Sequence, residues 1–573
     1  MSKFSRRTFA ILSGSVRCSL MTLALVQPAL AQTTATHGPD SSEPIVATAD
    51  GAVRGHAKNG VNVFLGIPYA APPVGELRWR PPVPTRPWRG VRDASHFASS
   101  CAQVTTFGAF AGPTSIEEDC LYLNVFTTGA STTGKKKPVV VWFHGGGNID
   151  GASNDYDGTK LATGGPDGTE TVVVTLNYRL GMFGIFSHPA INQGQLVGNY
   201  NILDQRAALQ WVQRNVAAFG GDPDNVTIGG QSAGNGDTGA HMISPLSKGL
   251  FHRAILQSSP GFIAWLPSEE TTTTLGKRFA DAAGCTGTDD AVATCLRALP
   301  TARILQIQGT LNTNHPFHTN YPYVDGTIIP LTPDQAWSRG EFNRVPVLGG
   351  STQDEVTFFT GINQYFAPGQ APAVTQANYD KMVAPGQFCI FCNEERKMPV
   401  GFAERYPLSK YRNDPVMAYQ RIGSDATKCR ELHVIEQLSR YVPVYAYDFA
   451  YQKAPYYFPR MPNFQPLAAH TIDIQFLFPD FHGGHLGVNL DHDTGMPRTL
   501  NAGESKLSDQ MVAGWTNFAA TGNPNQSGNA TWPRFTAGPA GEYLVQDVPL
   551  ARRTVAHMRS EHMCDFFDAQ LKY

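Results

Sequence analysis

A serine set between small residues is the side chain in this sequence best suited to act as a nucleophile. Gly230, Ser232 and Gly234 form a Gly-x-Ser-x-Gly pattern directly after the β-branched run 226–228, which is typical of a buried strand. Such a pattern predicts a sharp strand-to-helix turn that strains the serine backbone and exposes its hydroxyl. Because a five-residue pattern also arises by chance, the prediction depends on the residues around it.

A run of glycines upstream predicts a site for a negatively charged oxygen. Residues 138–143 are continuously apolar, as in a strand covered on both faces, and His144 is followed by Gly145, Gly146 and Gly147. Backbone N–H groups of such a loop can point at an anion, and one preorganised donor contributes about 10²–10³ in rate. A flexible turn is the alternative, but the position upstream of the serine favours an oxyanion site.

Two acids and a histidine follow the serine in an order that hydrolytic triads use. Residues 345–350 read as a strand that leads to Asp354 and Glu355, and ligand crevices form where sheet strands end. Spacing alone leaves both acids open. His470 follows another strand, predicted at 442–449. A nucleophile, a base and an acid that orients the base are the parts of an acyl-transfer site.

The elements around these residues alternate between strand and helix. Strands are predicted at 171–177 and 253–258, a helix at 201–219 from its apolar spacing, and another helix from about Ala233. This alternation indicates a mostly parallel sheet with crossover helices. Further helices and loops, some of them forming a cap or gorge wall, are predicted over 266–340, 360–425 and 507–522.

The chain is globular in composition and carries little net charge. Its 573 residues are 42% hydrophobic and 16% charged, with a formal net charge of -2, which predicts a large core and no nucleic-acid partner. Beyond the leader no apolar run is long enough to cross a bilayer, so we expect no stable membrane insertion. The sequence does not indicate an oligomeric state.

Residues 1–31 have the organisation of an export signal. Arg6 and Arg7 form a twin-arginine pattern, an apolar stretch interrupted by Arg17 follows, and residues 29–31 read as a cleavage site. An ordinary secretory signal is the alternative, and both predict export. We therefore expect a bacterial twin-arginine signal peptide at 1–31, a single domain at 32–573, and a periplasmic or secreted protein.

Cysteine usage agrees with export. The cysteines beyond the leader are Cys101, Cys120, Cys285, Cys295, Cys389, Cys392, Cys429 and Cys564. Their even number fits an oxidising compartment, although many pairings are possible. Cys389 and Cys392 fit a disulfide, a redox pair or half of a metal site. Because no second Cys-x-x-Cys or suitable histidine pair lies nearby, zinc is disfavoured, and we expect a structural disulfide and no metal.

Two longer stretches resemble signatures of the type-B carboxylesterases, the family that includes the cholinesterases. Residues 219–234 resemble its serine signature, and residues 118–126 resemble its second signature. The resemblance extends over nearly the whole exported chain. It implies an α/β-hydrolase fold, with a large, mostly parallel sheet, helices on both faces, and cap or gorge insertions.

The resemblance also implies roles for individual residues. The family's acid follows a strand in a pattern like that of residues 350–359, which implies Glu355, with Asp354 as a neighbour. The implied triad is then Ser232, Glu355 and His470, whereas His482, His485 and His492 lie in a glycine-rich loop and are assigned to the surface or cap. The implied oxyanion donors are the amides of Gly146, Gly147 and Ala233.

Structural pairs are implied as well. The implied disulfides join Cys101 to Cys120, Cys285 to Cys295, and Cys429 to Cys564. The implied buried ion pairs join Arg78 to Glu118 and Arg179 to Asp204.

Two departures from the cholinesterases argue against choline esters. The loop between Cys101 and Cys120 is short and has no tryptophan for a cation–π contact, and Gln231 stands where cholinesterases have a glutamate. The substrate wall is predicted to include Trp265, Phe317, His318, Phe358 and Phe359, with ordinary core packing as the alternative for each of these side chains.

These features together predict a serine carboxylic-ester hydrolase that acts on a small-molecule ester through an acyl-enzyme. No metal or organic cofactor is expected. One alternative is a non-catalytic cholinesterase-like binding protein, which the presence of all three triad residues disfavours. The other is an amidase, a thioesterase or a specialised xenobiotic or polyester-fragment esterase, because the choice of leaving group depends on pocket shape.

Overall fold

The structure, a computed structural model, contains an eleven-stranded sheet and a small three-stranded sheet. It describes residues 43–104, 114–129, 134–192, 198–258, 268–312, 321–363, 373–387, 397–461, 464–483, 487–526 and 531–571. The strands are β1 (Ile45–Ala47), β2 (Ala52–Arg54), β3 (His56–Lys58), β4 (Val61–Pro68), β5 (Val91–Asp93), β6 (Tyr122–Thr127), β7 (Lys137–Phe143), β8 (Val172–Leu176), β9 (Gly221–Gln231), β10 (Arg253–Gln257), β11 (Val347–Thr352), β12 (Val444–Phe449), β13 (Glu542–Gln546) and β14 (Ala551–Thr554).

The middle of the large sheet is parallel and its edges are antiparallel. The strands β8, β7, β9, β10, β11, β12 and β13 lie side by side in this order and run parallel. At one edge β6, β4 and β3 pair antiparallel, and β14 does so at the other. The strands β1, β2 and β5 form the small sheet. The predicted mostly parallel sheet is confirmed, and the antiparallel edges add to it.

The helices that the structure describes cover this sheet. They are α1 (Thr159–Thr163), α2 (Gly181–Gly184), α3 (Pro189–Asn192), α4 (Tyr200–Asn215), α5 (Ala233–Ile243), α6 (Glu269–Ala283), α7 (Asp289–Ala298), α8 (Thr301–Asn312), α9 (Pro333–Arg339), α10 (Val356–Gly361), α11 (Tyr379–Met382), α12 (Phe402–Arg405), α13 (Pro415–Ser439), α14 (Ile474–Leu477), α15 (Ala502–Thr521), α16 (Val555–Glu561) and α17 (Cys564–Leu571). None of the helices in the described ranges is both long and apolar enough to cross a membrane.

Successive residues of the central strands are buried in two different apolar clusters. Val172 and Val174 of β8 belong to one cluster, which also contains Trp211 of α4. Val173 belongs to the other, which contains Met511 of α15. Successive side chains of a strand point to opposite faces, so helices pack on both faces of the sheet. This explains why the central strands are apolar without alternation.

Three disulfides confirm the pairs that the family resemblance implied. Cys101 is joined to Cys120, Cys285 to Cys295, and Cys429 to Cys564. The last pair fastens α13 to the beginning of α17 across 135 residues of sequence. Cys389 and Cys392 lie outside the described residues, as do the predicted signal at 1–31 and the start of the predicted domain.

Both predicted buried ion pairs are also present. Arg78 donates to Glu118, and Arg179 donates to both carboxylate oxygens of Asp204 at 2.8 and 2.7 Å. Asp204 and Arg179 are almost fully buried. Breaking such a pair leaves one charge stranded in the core.

Replacing Arg179 with alanine should therefore lower the free energy of unfolding by about 3–5 kcal/mol, because Asp204 would lose its cation while it stays buried. The matched control is Lys58→Ala at an exposed pair with Asp157, for which we expect at most about 1 kcal/mol. Urea unfolding followed by fluorescence measures both changes. Equal losses for the two variants would contradict the expected effect of burial.

Candidate active site

Ser232 lies at the junction between strand β9 and helix α5 with a strained backbone. Its φ and ψ are 59° and -122°, a combination that L-residues rarely adopt. A Cβ atom on Gly230 would lie 2.4 Å from the carbonyl carbon of Gly234, and one on Gly234 would lie 2.0 Å from the carbonyl oxygen of Phe143. Glycine is therefore required on both sides of the serine, as the sequence pattern predicts.

The glycine loop after β7 lies directly against this turn. A Cβ atom on Gly145 would lie 3.2 Å from the Cβ of Ser232. Gly146 and Gly147 have φ angles of 108° and 63° and are partly exposed. A side chain at Gly146 would meet the carbonyl of Asp150 at 2.1 Å. The loop thus places glycine backbone beside the hydroxyl-bearing residue, where only glycine fits.

Glu355 and His470 are in direct contact. The Nδ1 atom of His470 is hydrogen-bonded to Oε2 of Glu355, and both side chains are buried. The backbone N–H of Thr352, the last residue of β11, donates to the other Glu355 oxygen at 3.0 Å. Burial opposes the ionised form of Glu355, but His470, the Thr352 amide and Lys428 together hold its pKa below the ordinary value.

Asp354 contacts different groups. Its Oδ2 accepts from Gln452 Nε2 at 2.8 Å and from the backbone N–H of Ala468 at 3.2 Å, and burial raises its pKa. His482 and His492 line two surface clefts, and His485 lies outside the described residues. Of the two acids that spacing left open, Glu355 is the one that contacts His470.

Gln231 contacts His470 in a way that the sequence did not indicate. Its Nε2 lies 3.4 Å from Nδ1 and 3.3 Å from Nε2 of the imidazole. Because these distances are nearly equal, the amide lies over the ring face and is not aligned with either nitrogen lone pair. Gln231 precedes Ser232, so this contact places the imidazole beside the strained turn.

A second buried acid lies close to this histidine. Asp473, three residues after His470, accepts from Gln257 Nε2 at 2.9 Å. Burial, followed by the charge of Glu355, raises the pKa of Asp473 to about 7. Sequence reasoning missed this residue, although an acid at this spacing from a candidate histidine was a usable indication.

A buried cation lies behind Glu355. Lys428 of α13 is fully buried and contacts Asp448 at 2.6 Å and Glu431 at 3.9 Å. It also donates to the carbonyl oxygen of Ser351 at 3.1 Å. Burial raises the pKa of Glu431 to about 7. Lys428 is thus a source of positive potential that favours the ionised form of Glu355.

Two aromatic side chains pack around the histidine. The ring centroids of Phe358 and Phe359 lie 5.6 and 5.2 Å from that of His470. Phe358 is buried and Phe359 is partly exposed. The other predicted wall residues, Trp265, Phe317 and His318, lie outside the described residues. In the part of the chain that is described, no group of three or more His, Cys, Asp or Glu side chains could hold a metal ion.

The sheet and the turn around Ser232 define the α/β-hydrolase class. The family model described as carboxylesterase matches residues 42–567. A pyrethroid hydrolase of Mus musculus is 35% identical over 522 residues, covering 87% of both chains, and a cocaine esterase of Homo sapiens is 34% identical over 87% of both chains. A carboxylesterase structure from Geobacillus stearothermophilus is similar with a TM-score of 0.70 and 30% identity, over 90% of this chain and 99% of that chain. The chain belongs to the carboxylesterase family and is a carboxylic ester hydrolase.

Proposed function

We propose that this enzyme cleaves esters through a covalent acyl-enzyme on Ser232. The serine Oγ attacks the ester carbonyl carbon while Nε2 of His470 takes its proton. The tetrahedral intermediate then expels the alcohol, which receives that proton. Water, deprotonated by the same imidazole, attacks the acyl-enzyme and releases the acid and the free serine.

The observation that carries this proposal is the Glu355–His470 contact beside the strained turn of Ser232. Hydrogen bonding at Nδ1 fixes the imidazole tautomer so that Nε2 can accept a proton. The pKa of Glu355 is lowered, which keeps it ionised and able to stabilise the imidazolium that forms. We assign His470 as the general base and Glu355 as the acid that orients it.

We assign the oxyanion site to the amides of Gly146, Gly147 and Ala233. The partly exposed glycine loop lies against Ser232, and Ala233 is the first residue of α5. Its amide belongs to the N-terminal end of a helix, where the partial positive charge favours an anion. Negative charge that develops on the carbonyl oxygen would be stabilised there without reorganisation.

We propose uncharged esters with an apolar group as the substrate class. Phe358 and Phe359 line the side of His470, and the residue before the serine is the neutral Gln231. No tryptophan for a quaternary ammonium occurs between Cys101 and Cys120. We also propose that the protein is exported, because three disulfides accompany the predicted leader.

A fluorophosphonate probe tests the nucleophile directly. Intact enzyme should acquire one probe mass, and peptide mapping should place it on Ser232. A panel of p-nitrophenyl esters, choline esters, a pyrethroid, cocaine and matched amides then tests the substrate class; the pyrethroid and cocaine are included because relatives carry those names. Labelling elsewhere would overturn the assignment of Ser232, and no labelling would favour a non-catalytic protein. Faster turnover of choline esters than of neutral esters would overturn the substrate class.

A further inference from the structure

We propose that Asp237 is a positioning residue that holds the glycine loop, residues 145–147, in place through Asn148. The inference rests on the proposed function, because it concerns the loop assigned there as the oxyanion site. Asn148 directly follows Gly146 and Gly147, and its Nδ2 donates to Oδ1 of Asp237 at 3.1 Å. Both side chains are buried, with 1% and 0% exposed.

The hydrogen bond between Asn148 and Asp237 joins the two segments that supply the assigned oxyanion donors, the glycine loop and helix α5. Asp237 lies on α5, the helix that begins with Ala233 directly after the serine. Asn148 has a φ of 56°, and its carbonyl oxygen accepts from the backbone N–H of Gly181 at 2.6 Å. The loop is therefore fixed to α5 through the Asn148 side chain and to α2 through its backbone. A shift of this loop relative to α5 would separate the glycine amides from that of Ala233.

The carboxylate is itself held in one orientation by a chain of hydrogen bonds. Its second oxygen accepts from Gln205 Nε2 of α4 at 2.6 Å. Gln205 Oε1 lies 3.0 Å from Nε2 of His241, and Nδ1 of that histidine lies 2.8 Å from Ser247 Oγ. Each carboxylate oxygen thus has its own amide donor, which is the arrangement that an ionised carboxylate requires.

Burying an ionised carboxylate without a cation carries a large desolvation penalty. Asp237 is fully buried, its hydrogen-bond donors Asn148 and Gln205 are neutral amides, and the nearby Tyr178 hydroxyl donates to the carbonyl oxygen of His144. A buried charge without a cation opposes folding, so it is retained where it serves the site. Tyr178 is the titratable group that interacts with Asp237 directly, and it stacks on His144 and also interacts with Asp150. His241 reaches Asp237 only through Gln205 and interacts with Arg206.

Burial sets the protonation states of Asp237 and of the histidine at the other end of this hydrogen-bond chain. Burial raises the pKa of Asp237 to about 7, and burial lowers that of His241 to about 3. Above pH 7 the carboxylate accepts from both amides. Below pH 7 a proton occupies one oxygen, which becomes a weaker acceptor for the amide of Asn148 or Gln205. The hydrogen bonds that link the glycine loop to α5 and α4 through Asp237 should therefore weaken as the pH falls through 7, while His241 stays neutral.

Asp237→Asn tests the proposal, because its amide presents one donor where two acceptors are needed. After titration with the fluorophosphonate, kcat per active site should fall about 10- to 100-fold with KM nearly unchanged, since the loop acts on the transition state. Affinity for a trifluoromethyl ketone ester analogue should fall by the same factor as kcat/KM. Below pH 7 the wild-type kcat/KM should fall more steeply than that of the variant, in which Asp473 still titrates near pH 7 but residue 237 no longer does.

Asn148→Ala and the double variant complete the test. Asn148→Ala should reproduce the loss in kcat, and the double variant should lose little more, because both changes break one contact. If Asp237→Asn does not fold, Asn148→Ala alone carries the test through the same kcat and ketone measurements. The matched control is Asp204→Asn, a fully buried acid on α4 that binds Arg179 and not the loop. It should lower the unfolding midpoint and leave kcat per site unchanged.

The outcomes separate this inference from the proposed function. Wild-type enzyme that is not labelled at Ser232 overturns the acyl-enzyme proposal. Labelling at Ser232 together with an unchanged kcat in Asp237→Asn or Asn148→Ala overturns only the role of Asp237. Additive losses in the double variant, or an equal loss of kcat in Asp204→Asn, would also overturn it.

Discussion

Replacing Ser232 with alanine should lower kcat by about 10⁴- to 10⁶-fold, the loss that follows when the nucleophile of such a triad is removed. The hydroxyl supplies the atom that becomes covalently bound, and no neighbouring group can replace it at the same turn. The fold should be unaffected, because the side chain is small and only partly buried. The measurements are kcat with a p-nitrophenyl ester, fluorophosphonate labelling, and the midpoint of thermal unfolding.

Ser232→Gly is the matched control for strain. It should be as inactive as Ser232→Ala but more stable than the alanine variant by about 1 kcal/mol, because glycine adopts positive φ without a Cβ penalty. The observed φ of 59° and ψ of -122° motivate this expectation. Residual turnover near the wild-type level in either variant would remove Ser232 from its role. If the glycine variant were less stable than the alanine variant, the backbone of residue 232 would not be strained.

The parts of the site governed by local rules could be predicted from the sequence. The strand before Ser232 and the glycines around it follow from steric limits within a few residues, and the structure shows that a Cβ atom fits at neither Gly230 nor Gly234. The apolar strand at 138–143 is buried throughout as Lys137–Phe143. Short-range geometry determines these features, so residue type and spacing indicate them.

Some boundaries were misplaced although the sequence contained the information. Helix α15 begins at Ala502, earlier than the 507 expected from apolar spacing, because Asn501 and Glu504 form a capping box. That pattern is readable in a sequence. The antiparallel strands at the sheet edges were less accessible, since edge position depends on how distant segments pair.

The polar contacts around the histidine depend on tertiary structure. Gln231 contacts an imidazole 239 residues further along the chain, and Asp237 contacts Asn148, 89 residues before it; no spacing rule relates either pair. Spacing also left Asp354 and Glu355 equivalent, and only family resemblance separated them. Their side chains point to different elements, one to the histidine and the other to Gln452. A buried polar group is specified by its partners, and Glu355 and His470 lie 115 residues apart in the chain.

Glu355→Gln should lower kcat by about 10³- to 10⁴-fold while changing the volume of the side chain very little. The glutamine carbonyl can still accept from the Thr352 amide, which places its NH₂ group opposite Nδ1 of His470. That NH₂ donates, so the imidazole proton would move to Nε2, and the base could no longer accept the serine proton. The measurement is kcat per site titrated with fluorophosphonate, since a folding defect alone would lower the number of sites.

Asp354→Asn provides a control in which the same chemical change is made one residue away. Asp354 is also buried, but its oxygen accepts from Gln452 and the Ala468 amide, both of which an asparagine carbonyl can serve. We expect kcat within about threefold of wild type, as for a substitution that leaves the reacting groups in place. If the two variants lost activity equally, the loss would reflect general damage to the loop after β11. A larger loss in Asp354→Asn than in Glu355→Gln would show that Asp354, and not Glu355, orients the histidine. The pair of variants therefore decides between two carboxylates that spacing could not separate.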